Sequence, residues 1–373
     1  MDDLGSQERA VLDIIAANPF VGQQEIADAM GLARSTIAAH IVQLTRHGYI
    51  LGRGYVLPGP GRVVCIGGAV LDRKFRALAP IVPATSNPVE GFRSLGGVAR
   101  NVAENIAALG TETSFISIVG NDETGREILG AMRQRGIDVS QVIVTDEGAT
   151  AEYVALLGPD QELAVAASNM RIFDLFVPEL LDRIWPHLAA ARWVFVDCNL
   201  PAATLAALIA RKQSARFSLA VDAVSTPKVV RLPKDLTGVD LLFMNLDEAA
   251  AFLGHDLAPA GAEPRDMALA AAEGLRNRGA AEAIVTIGAQ GTAYATREGS
   301  GLFDAVAAKP LDITGAGDAM IAGTLHGILS GEPTAIAART GALLGALTTE
   351  TQSTVHPSLS AAFLDAQRHR LAR

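Results

Sequence analysis

From Arg62 onward, short apolar runs alternate with stretches of helical periodicity, and few folds accommodate that rhythm. Arg62-Val63-Val64-Cys65-Ile66-Gly67-Gly68, Thr113–Val119, Trp193–Cys198, Ser218–Asp222, Leu241–Met244 and Ala283–Ile287 read as buried strands. Ala99–Leu109, Gly125–Arg135, Ala202–Lys212, Leu246–Leu253 and Arg265–Arg278 read as helices between them. Strands apolar on both faces and separated by helices build a mainly parallel sheet with helices over both faces. The expected class is therefore a three-layer α/β/α fold. Two segments break the rhythm, about 75–94 and 149–167. In the second, Glu152–Leu157 and Leu163–Ala166 read as a hairpin around Gly158-Pro159-Asp160. A small sheet outside the main layer is expected there, placed to act as a lid.

The first sixty residues follow another pattern. Helices are expected over Gln7–Asn18, Gln23–Met30 and Ala33–His47, the last with Ile37, Ile41 and Leu44 as its core stripe. Gly31 makes a tight turn between the second and third, and Tyr49–Leu57 reads as a short wing. This resembles the winged helix-turn-helix domains of bacterial transcription regulators, with Arg34, Ser35, Thr36 and His40 as DNA-facing residues on the third helix. A small helical cap or dimerisation module is the other reading. Pro58-Gly59-Pro60-Gly61 reads as a linker, giving expected units of 1–57 and 62–373.

Charge narrows the partners. The 373 residues carry a formal charge of −9, which argues against bulk electrostatic binding of nucleic acid. Residues 1–62 are close to charge balance, so one copy of the arm would bind DNA weakly and a dimer is expected. Cys65 and Cys198 each lie in an apolar run without metal-ligand spacing, and read as buried, reduced thiols. The start, MDDLGSQER, has no signal-peptide core, and no apolar stretch is long enough to span a bilayer, so a cytoplasmic protein is expected.

The stretch Asp312-Ile313-Thr314-Gly315-Ala316-Gly317-Asp318 carries the chemistry. Small residues at 315–317 allow a tight turn whose N–H groups converge, and Ala319-Met320-Ile321-Ala322 starts a helix whose positive end adds to the same spot. An anion held there, such as a transferring phosphoryl group, lies beside the Asp318 carboxylate. No Gly-Lys-Ser/Thr follows, so this is not a Walker A loop. Without such chemistry, Asp318 reads as a helix cap.

Other motifs are ambiguous singly. Gly96-Gly97 before a helix is either a plain turn or bare backbone for a polyol, with Asn101 to bond a hydroxyl. Asn245-Leu246-Asp247-Glu248 is either a capping box or a polar pair that organises Mg²⁺ and its water. Thr286-Ile287-Gly288-Ala289-Gln290-Gly291 is either a nucleotide cradle or a hairpin turn. Asp122, in Gly120–Gly125, reads as a helix cap.

Together, in this order, these motifs resemble the ribokinase-like sugar and nucleoside kinases, the PfkB family, across about residues 62–373. The resemblance implies a ribokinase-like fold, ATP and Mg²⁺, and Asp318 as catalytic base with Gly315, Ala316 and Gly317 as donors to the transferred group. Asp72, Gly96, Gly97 and Asn101 would bind substrate, with Asn169 a further sugar or base contact. Asn245, Glu248, Thr286, Gly288 and Gly291 would serve the nucleotide, with Glu248 reaching Mg²⁺ through water. Asp222 and Lys228 follow a strand end and would face the nucleotide. Asp312 and the Thr314 backbone would hold a monovalent cation such as K⁺, or Asp312 is a structural turn residue. Val70 stands where the family usually has Asn.

Gly96–Asn105 looks most like pseudouridine kinases, which implies phosphorylation of the ribose 5′-hydroxyl of that nucleoside. Other ribonucleosides or sugars are the alternative substrates. A transcription regulator using the kinase-like domain as a ligand sensor is the alternative function. The resemblance implies a homodimer joined through the lid, which a winged helix also favours, with no membrane partner.

Overall fold

The structure is a computed structural model that describes residues 4–51, 61–254 and 263–372. Three helices come first: α1 (Ser6–Ala17), α2 (Gln23–Met30) and α3 (Arg34–Arg46). They enclose a core of their own, in which Val11, Ile15, Ile26, Ile37, Leu44 and Ile50 are buried. Gly31 ends α2 in the left-handed region, as the helix-turn-helix turn requires. Most of the expected wing, and the linker up to Pro60, lies outside the described residues.

The remainder contains strands β1 (Val63–Ile66), β2 (Val70–Ala77), β3 (Val89–Gly96), β4 (Thr113–Ile116), β5 (Ile118–Gly120), β6 (Ile143–Thr145), β7 (Ala151–Leu157), β8 (Leu163–Asn169), β9 (Trp193–Asp197), β10 (Ser218–Asp222), β11 (Leu241–Asn245), β12 (Glu282–Thr286), β13 (Thr292–Ala295) and β14 (Ser300–Phe303). Its helices are α4 (Val98–Ala108), α5 (Glu123–Gln134), α6 (Leu180–Ala189), α7 (Ala202–Lys212), α8 (Thr226–Val229), α9 (Leu246–Leu253), α10 (Pro264–Asn277), α11 (Ala316–Leu329), α12 (Thr334–Thr349) and α13 (Ala361–Gln367).

The main sheet runs β14-β13-β12-β11-β10-β9-β1-β4. From β4 to β12 every pairing is parallel, and β13 and β14 extend it antiparallel. Alternate residues serve different layers. Val64 and Ile66 pack with α6, α7, α9 and α10, whereas Val63 and Cys65 pack with α4, α5, α11 and α12. That double burial is why these strands read as unbroken apolar runs. Cys65 and Cys198 are buried free thiols.

The expected strand Thr113–Val119 is in fact two. Buried Ser117 donates its hydroxyl to the Gly67 carbonyl at 2.6 Å, which ends pairing with β1 and frees β5 to pair with β6. The segments expected to form a lid build a second sheet, ordered β3-β2-β7-β8, which includes the predicted hairpin. Among the described residues no helix is long and apolar enough to cross a membrane.

The arm docks on the larger unit through a close backbone approach. A Cβ at Gly48 would overlap the backbone of Ala189 and Ala190, at the end of α6, and Arg216 lies over the Tyr49 ring. Ala190 just precedes β9, so the arm sits by the entry end of the parallel strands.

Candidate active site

Most of the residues expected to serve substrate and nucleotide lie at the other end, where the parallel strands terminate, the usual ligand end of an open α/β sheet. At the start of α11, Gly315 adopts φ +84 with its Cα against Thr354. The Ala316 N–H is occupied by the Ile313 carbonyl at 3.2 Å, so Ala316 is not one of the free donors its position promised. Among the described residues the N–H groups of Gly315, Gly317 and Asp318 have no acceptor. Unpaired N–H groups at a helix N-terminus form an anion site.

Asp318 stands beside them, partly open to the cleft. Asn101, from α4, donates its side-chain N–H to Asp318 Oδ2 at 2.6 Å. Burial pushes the Asp318 carboxyl up to about 6, against the Asn101 bond, and the charges of Asp197 and Asp72 add to the rise while Arg100 opposes it. Asp72, on β2, lies with its carboxylate over Gly96, where any side chain would collide with it. Burial likewise pushes Asp72 to about 6, with Arg100 and Lys74 pulling the other way. Arg100 donates to the carbonyls of Gly96 and Leu95 and pairs with Glu104 and Asn101, which ties the Gly-Gly turn to α4.

Sequence reasoning passed over Asp197, the last residue of β9. Its Oδ2 accepts the N–H groups of Gly68 and Ala99, and its Oδ1 that of Asn199, all at 2.9 Å. It thus clamps both Gly-rich segments to the sheet. The only signal was an Asp closing an otherwise apolar run.

Asn245 and Glu248 form the capping box of α9, with both reciprocal bonds at 2.9 Å. Glu248 is buried, and burial raises its carboxyl. Burial, then the charges of Glu248 and Asp318, raise Asp222 well above its ordinary value although the Val224 N–H is bound to it. Val224 itself holds φ +67, an uncommon state for a β-branched residue. Lys228 turns to the Asn199 side chain at 2.6 Å. Among the described residues no three His, Cys, Asp or Glu side chains meet to ligate a metal directly.

Thr286 ends β12, and Gly288 opens a short 3₁₀ turn that closes at Gly291, φ +111. Arg265 donates to the Gln290 carbonyl at 3.0 Å. A cavity of about 850 Å³ opens here, lined by Arg265, Phe303, Val306, Arg339 and Arg370 among others.

Lys74 and Phe92 were also missed. Pairing on the lid places Asp72, Lys74, Phe92 and Tyr153 on one face. Lys74 reaches Asp312 Oδ2 and Thr314 Oγ1, both at 3.1 Å. Asp312 Oδ1 accepts the Thr314 N–H at 2.8 Å and its hydroxyl at 2.6 Å. Burial would raise Asp312, but the Thr314 bonds and the Lys74 ammonium hold it below its ordinary value. The Lys74 ammonium thus stands against the Asp312 carboxylate and the Thr314 hydroxyl, where the expected monovalent cation would meet Asp312. Asn169 pairs with Glu152, one residue out of phase with Asp72, so the lid does not gather it with the others.

On the arm, Arg34 and Ser35 are exposed and Thr36 is half-buried. His40 instead faces α1, with Nδ1 4.0 Å from Glu8 and Nε2 buried without a partner. It sits beside the Ile37–Ile41–Leu44 stripe, not on the exposed face.

The chain is similar to known proteins over most of its length. The chain is 29% identical to the uncharacterized sugar kinase YeiI of Escherichia coli, over 96% of this chain and 97% of that one. It is 30% identical to the pseudouridine kinase of Escherichia coli, over 80% and 94%. A solved carbohydrate kinase from Agrobacterium tumefaciens superposes with a TM-score of 0.72 at 30% identity, over 82% of this chain and 96% of that one. Residues 6–50 match the winged helix-turn-helix DNA-binding family. Residues 61–361 match the pfkB family carbohydrate kinases, and with its ribokinase-like fold the chain belongs to that family.

Proposed function

We propose that the protein transfers the γ-phosphoryl group of ATP to the ribose 5′-hydroxyl of a nucleoside, with pseudouridine preferred. The observation that carries this reading is the juxtaposition of Asp318, Asn101 and Asp72 beside the free N–H groups of α11. Asp72 accepts two ribose hydroxyls over the bare backbone of Gly96 and Gly97. Asn101 orients the ionised Asp318, which takes the proton of the 5′-hydroxyl as that oxygen attacks phosphorus in line. The N–H groups of Gly315, Gly317 and Asp318 meet the charge on the phosphoryl oxygens. Phe92, exposed on the cleft face of the lid, offers a ring for the nucleobase.

Thr286, Gly288 and Gly291 border the nucleotide, and the neighbouring cavity has room for its adenosine end. The crowded carboxylates fit Mg²⁺, a hard cation that prefers oxygen ligands and keeps its waters. Asp222, Asn245 and Glu248 would hold it through water, and it would neutralise phosphate charge. The identity to pseudouridine kinase over most of both chains supports the substrate. The exposed Arg34 and Ser35, with Thr36, support DNA binding by the arm. We also infer a cytoplasmic homodimer joined through the lid.

The test is incubation of the full chain with ATP, Mg²⁺ and a panel of pseudouridine, uridine, adenosine and ribose. The expected product is pseudouridine 5′-phosphate, formed fastest. Retained nucleoside binding with no turnover on any substrate would favour the ligand-sensing regulator instead.

A further inference from the structure

The Lys74 contact joins parts of the chain far apart in sequence. Lys74 belongs to the lid strand β2, two residues beyond Asp72 and on the same face. Asp312 and Thr314 open the turn that leads into the free N–H groups of α11. The Thr314 hydroxyl is engaged twice, donating to Asp312 Oδ1 and accepting from Lys74. One ammonium thus satisfies an oxygen from each of two residues, at the place where the family resemblance implied a free monovalent ion. Lys74 is 35% exposed, so its charge attraction is partly screened. What it adds is geometry, because it fixes the turn only when the lid strand lies over the cleft.

We propose that the Lys74 ammonium is the resident cation of the Asp312–Thr314 turn, so that lid closure, and not a dissolved K⁺ ion, orders the loop around Asp318. The proposal concerns the same site as the kinase reading, but its central measurement does not depend on turnover.

That measurement is hydrogen–deuterium exchange of the peptide spanning 312–318 in the full chain, in tetramethylammonium buffer with and without K⁺. The wild type is expected to be equally protected in both. Lys74→Ala is expected to exchange about tenfold faster there, a local loosening with the rest of the chain unchanged, and to regain protection with K⁺ or ammonium. K⁺-dependent protection in the wild type would overturn the proposal. So would unchanged exchange in Lys74→Ala, or failure of both ions to restore it. Phosphorylation rates supply the second readout: wild-type turnover should vary less than about twofold between K⁺ and tetramethylammonium, a small difference in free energy. If no substrate turns over but the exchange results hold, the catalytic reading fails and the Lys74 assignment stands.

Discussion

Asp318 is pulled in opposite directions. Burial and two neighbouring carboxylates favour its protonated form, while Asn101 and Arg100 favour the charged one. The balance near 6 leaves it ionised at neutral pH yet a better proton acceptor than an ordinary aspartate. A base must be ionised to act, so the rate should fall as pH drops below about 6, an acid limb visible in kcat/KM profiles. Asn101→Ala removes a donor to the ionised form, so that limb should move to higher pH. Asp318→Asn should lower kcat by roughly 10²–10⁴-fold with nucleoside binding retained, whereas a mere helix cap would cost about 1 kcal/mol of stability and leave turnover intact. Isothermal titration beside steady-state kinetics separates the two outcomes. Residues of this kind were readable when a motif surrounded them. Asp318, Asn101 and Asp72 sit in Gly-rich turns with recognisable neighbours. Asp197 had none, because its three partners, Gly68, Ala99 and Asn199, come mostly from distant segments.

At the level of elements, double burial made the parallel strands legible. The hairpin-turn reading of Thr286–Gly291 anticipated the antiparallel return of β13, but β14 went unread because it is four residues long and follows a glycine turn that resembles any loop. The break at Ser117 escaped too, since its partner, the Gly67 carbonyl, is remote in sequence. His40 was misassigned because helical spacing near a core stripe does not tell which flank another helix covers. The lid was legible as an interruption, but its register was not, and register decides which side chains face the cleft. Phe92→Ala should raise KM for the nucleoside by about tenfold, as expected for one lost stacking surface, while KM for free ribose changes little. The opposite face of the lid carries Phe75, Val89, Val154, Leu156 and Val165, of which Val89 and Val165 are exposed. A charge there opposes its own symmetry mate in a two-fold dimer. Val165→Lys should weaken self-association by at least about tenfold, read by sedimentation velocity, without unfolding the protomer.

For the whole molecule, the arm and the catalytic domain are distinct surfaces with different charge. The arm's exposed α3 face is expected to carry whatever DNA affinity the chain has. Arg34→Ala should weaken binding and, if Arg34 meets a phosphate, reduce the salt slope by about one ion, measured by fluorescence anisotropy over a salt series. Kinase activity should be untouched. The docking of Gly48 on Ala189 and Ala190 has an electrostatic consequence. It seats the reading helix by the entry end of β9, while Asp197 marks the exit end and the cleft. Five strand residues span roughly 16 Å, about twice the distance over which salt at physiological strength damps a charge. A duplex held by the arm would therefore exert little repulsion on an incoming triphosphate, and the sheet would insulate one polyanion from the other.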